Sequence, residues 1–170
     1  FLGKTIGIVG FGSIGRVVAK KAHAFGLQCV AYDPMLSGDS IALDGFSVPL
    51  LQLNNLLSQS DAVTLHLPYL PETKNLLNAV TLDQMKEGAC LINTSRGGIV
   101  DEIALADRLR SGRIGGAAID VFSAEPAKDL SHFTGIENLI LTPHIAGVTY
   151  ESNERVSQMI ADEVNRYLGV

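Results

Sequence analysis

Short apolar runs alternate with longer stretches of helical periodicity along the whole of this 170-residue chain. Thr5-Ile6-Gly7-Ile8-Val9 is apolar enough to predict a strand buried on both faces. After it, Ile14, Val18, Ala22 and Phe25 fall on one helical stripe, with Gly26 placed to end the helix. Further strands are expected at Cys29–Tyr32, weakly at Phe46–Val48, and at Ala62–His66, Ala89–Asn93, Gly116–Asp120 and Leu139–Leu141. Between them the pattern predicts helices over Leu50–Leu57, around Leu82–Met85, and after Asp101, a good N-cap, as far as Gly112. A last helix from about Glu151 carries Val156, Met159, Ile160, Val164 and Leu168 at helical spacing. Strands alternating with helices imply parallel pairing through right-handed crossovers. The expectation is one α/β domain over residues 1–170, a doubly wound parallel sheet of about seven strands with helices on both faces.

Composition narrows the field of functions. The chain is 46% apolar, and 13 basic against 18 acidic residues leave a net charge of −5. That mildly acidic balance, without a Lys/Arg cluster, argues against nucleic-acid and anionic-membrane partners. No apolar run reaches the ~18–20 residues of a membrane span, and the first residues lack a signal-peptide layout. Cys29 and Cys90 lie within apolar runs and read as buried strand residues of a reducing compartment, with the cytoplasm as the default. Phe1 stands so close before the first strand that the chain is expected to derive from something longer.

Gly10-Phe11-Gly12-Ser13-Ile14-Gly15 spells G-x-G-x-x-G between a buried strand and a helix. In that context the first glycine permits a tight turn, the second admits a pyrophosphate to the backbone, and the third lets helix and strand pack closely. Asp33 follows Gly15 by 18 residues, at the end of the second strand. An acid there accepts hydrogen bonds from ribose hydroxyls and repels a 2′-phosphate. No Arg or Lys lies between Tyr32 and Asn54, so NAD is expected over NADP. The plainer alternative is that the glycines only pack helix on strand and Asp33 only caps a turn.

Three more segments fall at carboxyl ends of predicted strands, where open α/β sheets bind ligands: His66-Leu67-Pro68, Asn93 to Gly98, and Pro143 to Gly147. Arg96 offers a planar fork for a carboxylate. His144 suits proton transfer to or from a substrate oxygen, and Glu125, in contact with it, would favour and orient the imidazolium. Each has a plainer reading: Arg96 as an exposed loop arginine, Glu125 as a solvated acid before Pro126, His66 as a packing residue, and His23 and His132 as surface histidines.

Taken in order, Gly3-Lys4-Thr5-Ile6-Gly7-Ile8-Val9-Gly10-Phe11-Gly12, His66-Leu67-Pro68, Pro71-Glu72-Thr73, Ile92 to Asp101, Ala117 to Phe122, Glu125-Pro126 and Thr142 to Gly147 resemble the NAD-binding domain of the D-isomer-specific 2-hydroxyacid dehydrogenases, phosphoglycerate dehydrogenase among them. The resemblance implies that Arg96 binds the substrate carboxylate, His144 is the acid/base and Glu125 its partner. It also implies cofactor contacts from Gly10, Gly12, Ser13, Ile14, Gly15, Asp33, Leu67, Pro68 and Thr73. Thr94, Ser95, Arg96 and His144 would lie on the nicotinamide side, with Asp120 near the carboxamide and Ala146 and Gly147 close by. Ser95 stands where many members have Ala. In the family a substrate lobe precedes this domain and the chain returns to it afterwards. Neither part is in these residues, so the isolated domain is expected to bind NAD but turn over poorly. A small 2-hydroxy or 2-keto acid is the implied substrate, and a homodimer through this domain the implied assembly. Two competing readings are a non-catalytic NAD(H)-sensing protein like the corepressors of this fold, and a hydrolase carrying NAD as a fixed cofactor.

Overall fold

A computed structural model describes residues 1–169. Strands β1 (Thr5–Val9), β2 (Gln28–Tyr32), β5 (Ala62–Leu65), β6 (Cys90–Asn93), β7 (Gly116–Ile119) and β8 (Leu139–Leu141) form one parallel sheet in the order β2-β1-β5-β6-β7-β8. The sheet thus has six strands. The weakly expected third strand, around Phe46, lies outside it: β3 (Ser40–Leu43) and β4 (Phe46–Pro49) form a separate antiparallel hairpin turned by Asp44 and Gly45. An Asp-Gly pair between short apolar runs is a hairpin signal, and Gly45 takes the left-handed conformation there (φ 81°).

The helices are α1 (Ser13–Ala24), α2 (Leu53–Gln59), α3 (Ala79–Gln84), α4 (Glu102–Arg110) and α5 (Tyr150–Leu168). Local chemistry sets their ends. The Asp101 carboxylate caps α4 through the Ala104 N–H, and Thr149 with Ser152, like Asn78 with Thr81, makes a reciprocal capping box. Gly26 and Gly112, both at positive φ, follow α1 and α4 as expected.

Alternation along the strands sorts side chains to two cores. Val9, Val30, Val63, Leu65, Leu91 and Ile119 join the buried cluster of Leu56, Leu57, Leu82 and Leu105 from α2, α3 and α4. Gly7 also faces α2: a Cβ there would lie 2.5 Å from Leu56. Ile8, Cys29 and Ala31 face the other way and pack with Ala19 and Ala22 of α1. On β6 to β8 this second face is thinly covered, with Cys90 and Ile140 exposed and Ile92 and Ala118 half-buried. Cys29 is therefore buried as expected, whereas Cys90 is exposed. It lies on β6 as expected, but among the described residues no helix covers that part of the sheet. The apolar stripe of α5 is likewise uncovered: Val156, Met159, Ile160, Val164 and Leu168 are all exposed.

Beyond β1 the order reverses, β2 lying to one side and β5 to the other. That switch point opens a crevice at the carboxyl ends of the strands. Gly10, Asp33, His66, Thr94, Asp120 and Thr142 each directly follow a strand, so all the candidate segments share that edge.

Candidate active site

At the crevice, the glycine-rich turn combines tight packing with one open position. Gly10 is at φ 95°, its N–H donates to Tyr32 O (2.8 Å), and a Cβ there would lie 2.5 Å from the His66 carbonyl. A Cβ on Gly15 would lie 2.3 Å from Gly10 O. Gly12 is different: it is exposed and a Cβ would meet nothing within 4 Å. It also caps α1 without a side-chain acceptor, and the first turn holds no acid. Ser13 and Ile14 are exposed beside it. An open glycine ahead of an uncapped helix N-terminus fits a pyrophosphate.

Asp33 closes the other side. Its carboxylate accepts the Phe11 N–H (2.8 Å) and the Met35 N–H (3.0 Å), tying the turn to the end of β2. It borders a cavity of about 440 Å³ lined also by Tyr32, Leu36, Leu50 and Gln52, with no Lys or Arg among the lining residues. That setting suits ribose hydroxyls and disfavours an added phosphate. Leu67 is buried and Pro68 exposed at the end of β5. Thr73 staples their loop: its hydroxyl donates to Pro68 O and accepts the Leu70 N–H, each at 2.8 Å. His66 contacts Thr64 Oγ1 at 3.1 Å, and burial pushes its pKa down, as befits a packing residue.

The Arg96 loop hangs on the buried side-chain amide of Asn93, the first residue of the candidate segment. Asn93 Oδ1 accepts the Ser95 N–H and hydroxyl, and its Nδ2 donates to Arg96 O. Thr94 and Arg96 are left exposed, the guanidinium bonded among the described residues only to Ser95 O (2.6 Å). Asn93 closes the expected strand Ala89–Asn93 and opens the candidate segment Asn93 to Gly98, and only its polarity at that strand end hints at the role.

Asp120 organises the third segment. It is buried and accepts from Thr142 Oγ1 and from the Ile145 and Ala146 N–H groups (2.9 Å each). Burial raises its pKa, but the bonds from Thr142, Ala146 and Ile145 and the nearby His144 outweigh this and hold the carboxyl below its usual value. Gly147 follows, exposed. His144 takes the left-handed conformation (φ 55°) with its N–H on Asp120 O (2.8 Å). Its Nδ1 lies 2.6 Å from Glu125 Oε2, while Glu125 Oε1 accepts the Phe122 N–H (3.0 Å). The bond to His144, then that from Phe122, lowers the Glu125 pKa. A carboxylate acceptor assigns the proton to Nδ1 of the neutral ring, leaving Nε2 for a substrate oxygen.

Arg96, Glu125 and His144 line one cavity of about 510 Å³ with Tyr69, Lys74 and Asn75. Its walls are close-set: a Cβ on Gly97 would lie 1.7 Å from the Phe122 carbonyl. His23 is exposed as expected. His132 is not a surface histidine: it is half-buried, its Nε2 lies 3.3 Å from Glu102 Oε2, and that nitrogen is shielded from solvent.

Residues 1–146 match the NAD-binding domain of the D-isomer specific 2-hydroxyacid dehydrogenases. The chain belongs to this family. Among curated relatives, the (S)-sulfolactate dehydrogenase of Chromohalobacter salexigens is 49% identical over 168 residues, 99% of this chain and 54% of that protein. A D-3-phosphoglycerate dehydrogenase of Synechocystis is 44% identical, over 97% of this chain and 29% of its own length. The NAD-complexed D-isomer specific 2-hydroxyacid dehydrogenase of Lactobacillus delbrueckii superposes with a TM-score of 0.86 at 30% identity, covering 98% of this chain and 54% of that one. The domain thus spans about half, or less, of the length of these relatives. As a member of this family it is an NAD-binding domain, and the open Gly12 turn and the Asp33 cavity fit that cofactor.

Proposed function

We propose that this domain is the cofactor-binding half of an NAD-dependent dehydrogenase that interconverts a D-2-hydroxyacid and its 2-keto acid. What supports the reading most is the convergence of Arg96 with the hydrogen-bonded Glu125–His144 pair on one cavity, at the same edge as the Gly12 turn. NADH, held by Gly10 to Ile14 and Asp33, would supply the hydride for the keto carbon. Arg96 holds the substrate carboxylate through paired N–H donors. His144 delivers a proton from Nε2 to the developing alkoxide, and Glu125 stabilises the charged ring and fixes its plane. In the reverse direction Nε2 removes the hydroxyl proton.

The exposed stripe of α5 and the bare face of β6 to β8 support a second lobe in the working protein, as does the greater length of the relatives. Closure of that lobe would exclude water, and the domain alone would therefore turn over poorly. Lys74 lines the cavity with Arg96 and makes no ion pair among the described residues. Two cations favour a small hydroxyacid with a second anionic group, such as 3-phosphoglycerate. Initial rates with the domain joined to its substrate lobe test this. 3-Phosphohydroxypyruvate should outpace pyruvate, and Lys74→Ala should lower its kcat/KM roughly 10-fold or more while sparing pyruvate. NADH oxidation with no 2-keto acid would overturn the reading.

A further inference from the structure

Glu102 opens α4, next to the Asp101 cap, and its carboxylate reaches away from its own helix to another loop. Oε1 accepts both donors of Ser123, the backbone N–H and the hydroxyl, each at 2.7 Å. Oε2 lies 3.3 Å from His132 Nε2, near but out of line for a hydrogen bond. The Glu102 side chain is only 14% exposed, so solvent offers these donors little competition.

Ser123 sits inside the turn that the site depends on. Phe122, just before it, donates its N–H to Glu125 Oε1 and rests its carbonyl against Gly97, next to Arg96. Glu125, two residues on, holds His144 Nδ1. Ser123, Ala124 and Glu125 are themselves exposed, so packing does little to fix them. Their other anchors are the bond from Phe122 to Glu125, which the turn makes with itself, the bond between Glu125 and His144, and the buried Phe122 side chain.

We infer that Glu102 is a positioning residue: by gripping Ser123 at both donors, it fixes the turn that sets Glu125 against His144 and holds Phe122 against the Arg96 loop. The start of α4 then anchors both walls of the cavity. It holds one through the chain running from Gly97 to Asp101 and the other through the Glu102 carboxylate. The importance of that placement rests on the proposed chemistry, but the geometry is measurable without turnover.

The test follows the Glu125 carboxyl by carbon-13 NMR titration in the 170-residue chain, together with hydrogen exchange of the Phe122 amide. His144 and Asp120 are the titratable groups beside Glu125, with Arg96 and Lys74 across the cavity. In the unaltered chain Glu125 should titrate below an ordinary glutamate. Glu102→Ala should raise its midpoint by about 0.5 unit or more as the bonds to it loosen, and should speed Phe122 exchange. Glu102→Gln keeps an acceptor for Ser123 and should preserve both readouts. The inference is overturned if folded Glu102→Ala leaves both unchanged, or if Glu102→Gln disturbs them as much as Ala does. Should Glu102→Ala fail to fold, Ser123→Ala removes one of the two donors at an exposed position. A smaller rise in the Glu125 midpoint then supports the inference, and no change overturns it. None of these readouts requires a keto acid, so a failure of the proposed chemistry would be seen separately.

Discussion

Gly97→Ala is the substitution whose consequence follows most directly from this geometry. The added Cβ would stand 1.7 Å from the Phe122 oxygen, 2.1 Å from its carbon and 2.8 Å from the Ser123 nitrogen. Ordinary contact begins near 3.4 Å, so the separation from that oxygen has to double. The obstructing atoms are backbone, and no rotamer change relieves them. Gly97 is not at positive φ, so the effect is one of space alone. Overpacking of this kind costs about 1–3 kcal/mol, which for a chain of this size lowers Tm by roughly 2–12 °C. The larger effect falls on the site, because the two loops that must part carry Arg96 and Glu125. A displacement of about 1 Å in a reacting constellation costs on the order of 100-fold in rate. Melting curves, ADP affinity at the glycine-rich turn, and turnover of the two-lobed enzyme would be compared with the unaltered protein. The expected outcome is a modest fall in Tm, unchanged ADP binding and about a 100-fold loss of kcat. Unchanged Tm and kcat would refute the packing argument.

Gly12→Ala is the converse case. Its Cβ meets nothing within 4 Å, so Tm should hold while NADH affinity, read by fluorescence titration, falls at least about 10-fold. Asp33→Ala should weaken NADH binding and let NADPH compete, whereas in the unaltered chain NADPH should fail to displace NADH. Stability against urea should decline in acid. Asp61, held by Lys86, the Thr5 N–H and Lys4, and Asp83, held by Arg108, both have carboxyl pKa values lowered in the fold. Their contribution is therefore complete above the ordinary carboxylate value near 4 and is lost as pH falls below it. Asp61→Asn should flatten that decline, and an unchanged pH profile would count against the assignment.

Much of this was legible from the residues, for identifiable physical reasons. Each parallel strand is an apolar run closed by Gly, Pro or a polar residue, and the chemistry follows at once in Gly10, Asp33, Arg96 and His144. The hairpin was half missed because Ser40–Leu43 is short and half-exposed, and its signal is confined to Asp44-Gly45. The exposure of Cys90 was not readable, since it depends on which helix covers which part of the sheet and not on the strand itself. His132 looked like a surface residue because its shielding comes from Glu102, 30 positions away in sequence. Asn93 and Glu102 act through bonds to loops whose approach only the fold reveals. Arg96, Glu125 and His144 stand out by residue type, whereas the groups that hold them in place give no such signal.

The central claim is that His144, oriented by Glu125, handles the substrate proton while the cofactor's affinity comes mainly from the glycine-rich turn and Asp33. The most direct measurement compares His144→Ala with the unaltered two-lobed enzyme, taking kcat for keto-acid reduction and the NADH Kd from the same preparations. The account expects kcat to fall by about 100- to 10,000-fold, with the NADH Kd within a factor of about three, which is under 1 kcal/mol. Retained turnover, or a loss explained wholly by weaker NADH binding, would contradict it.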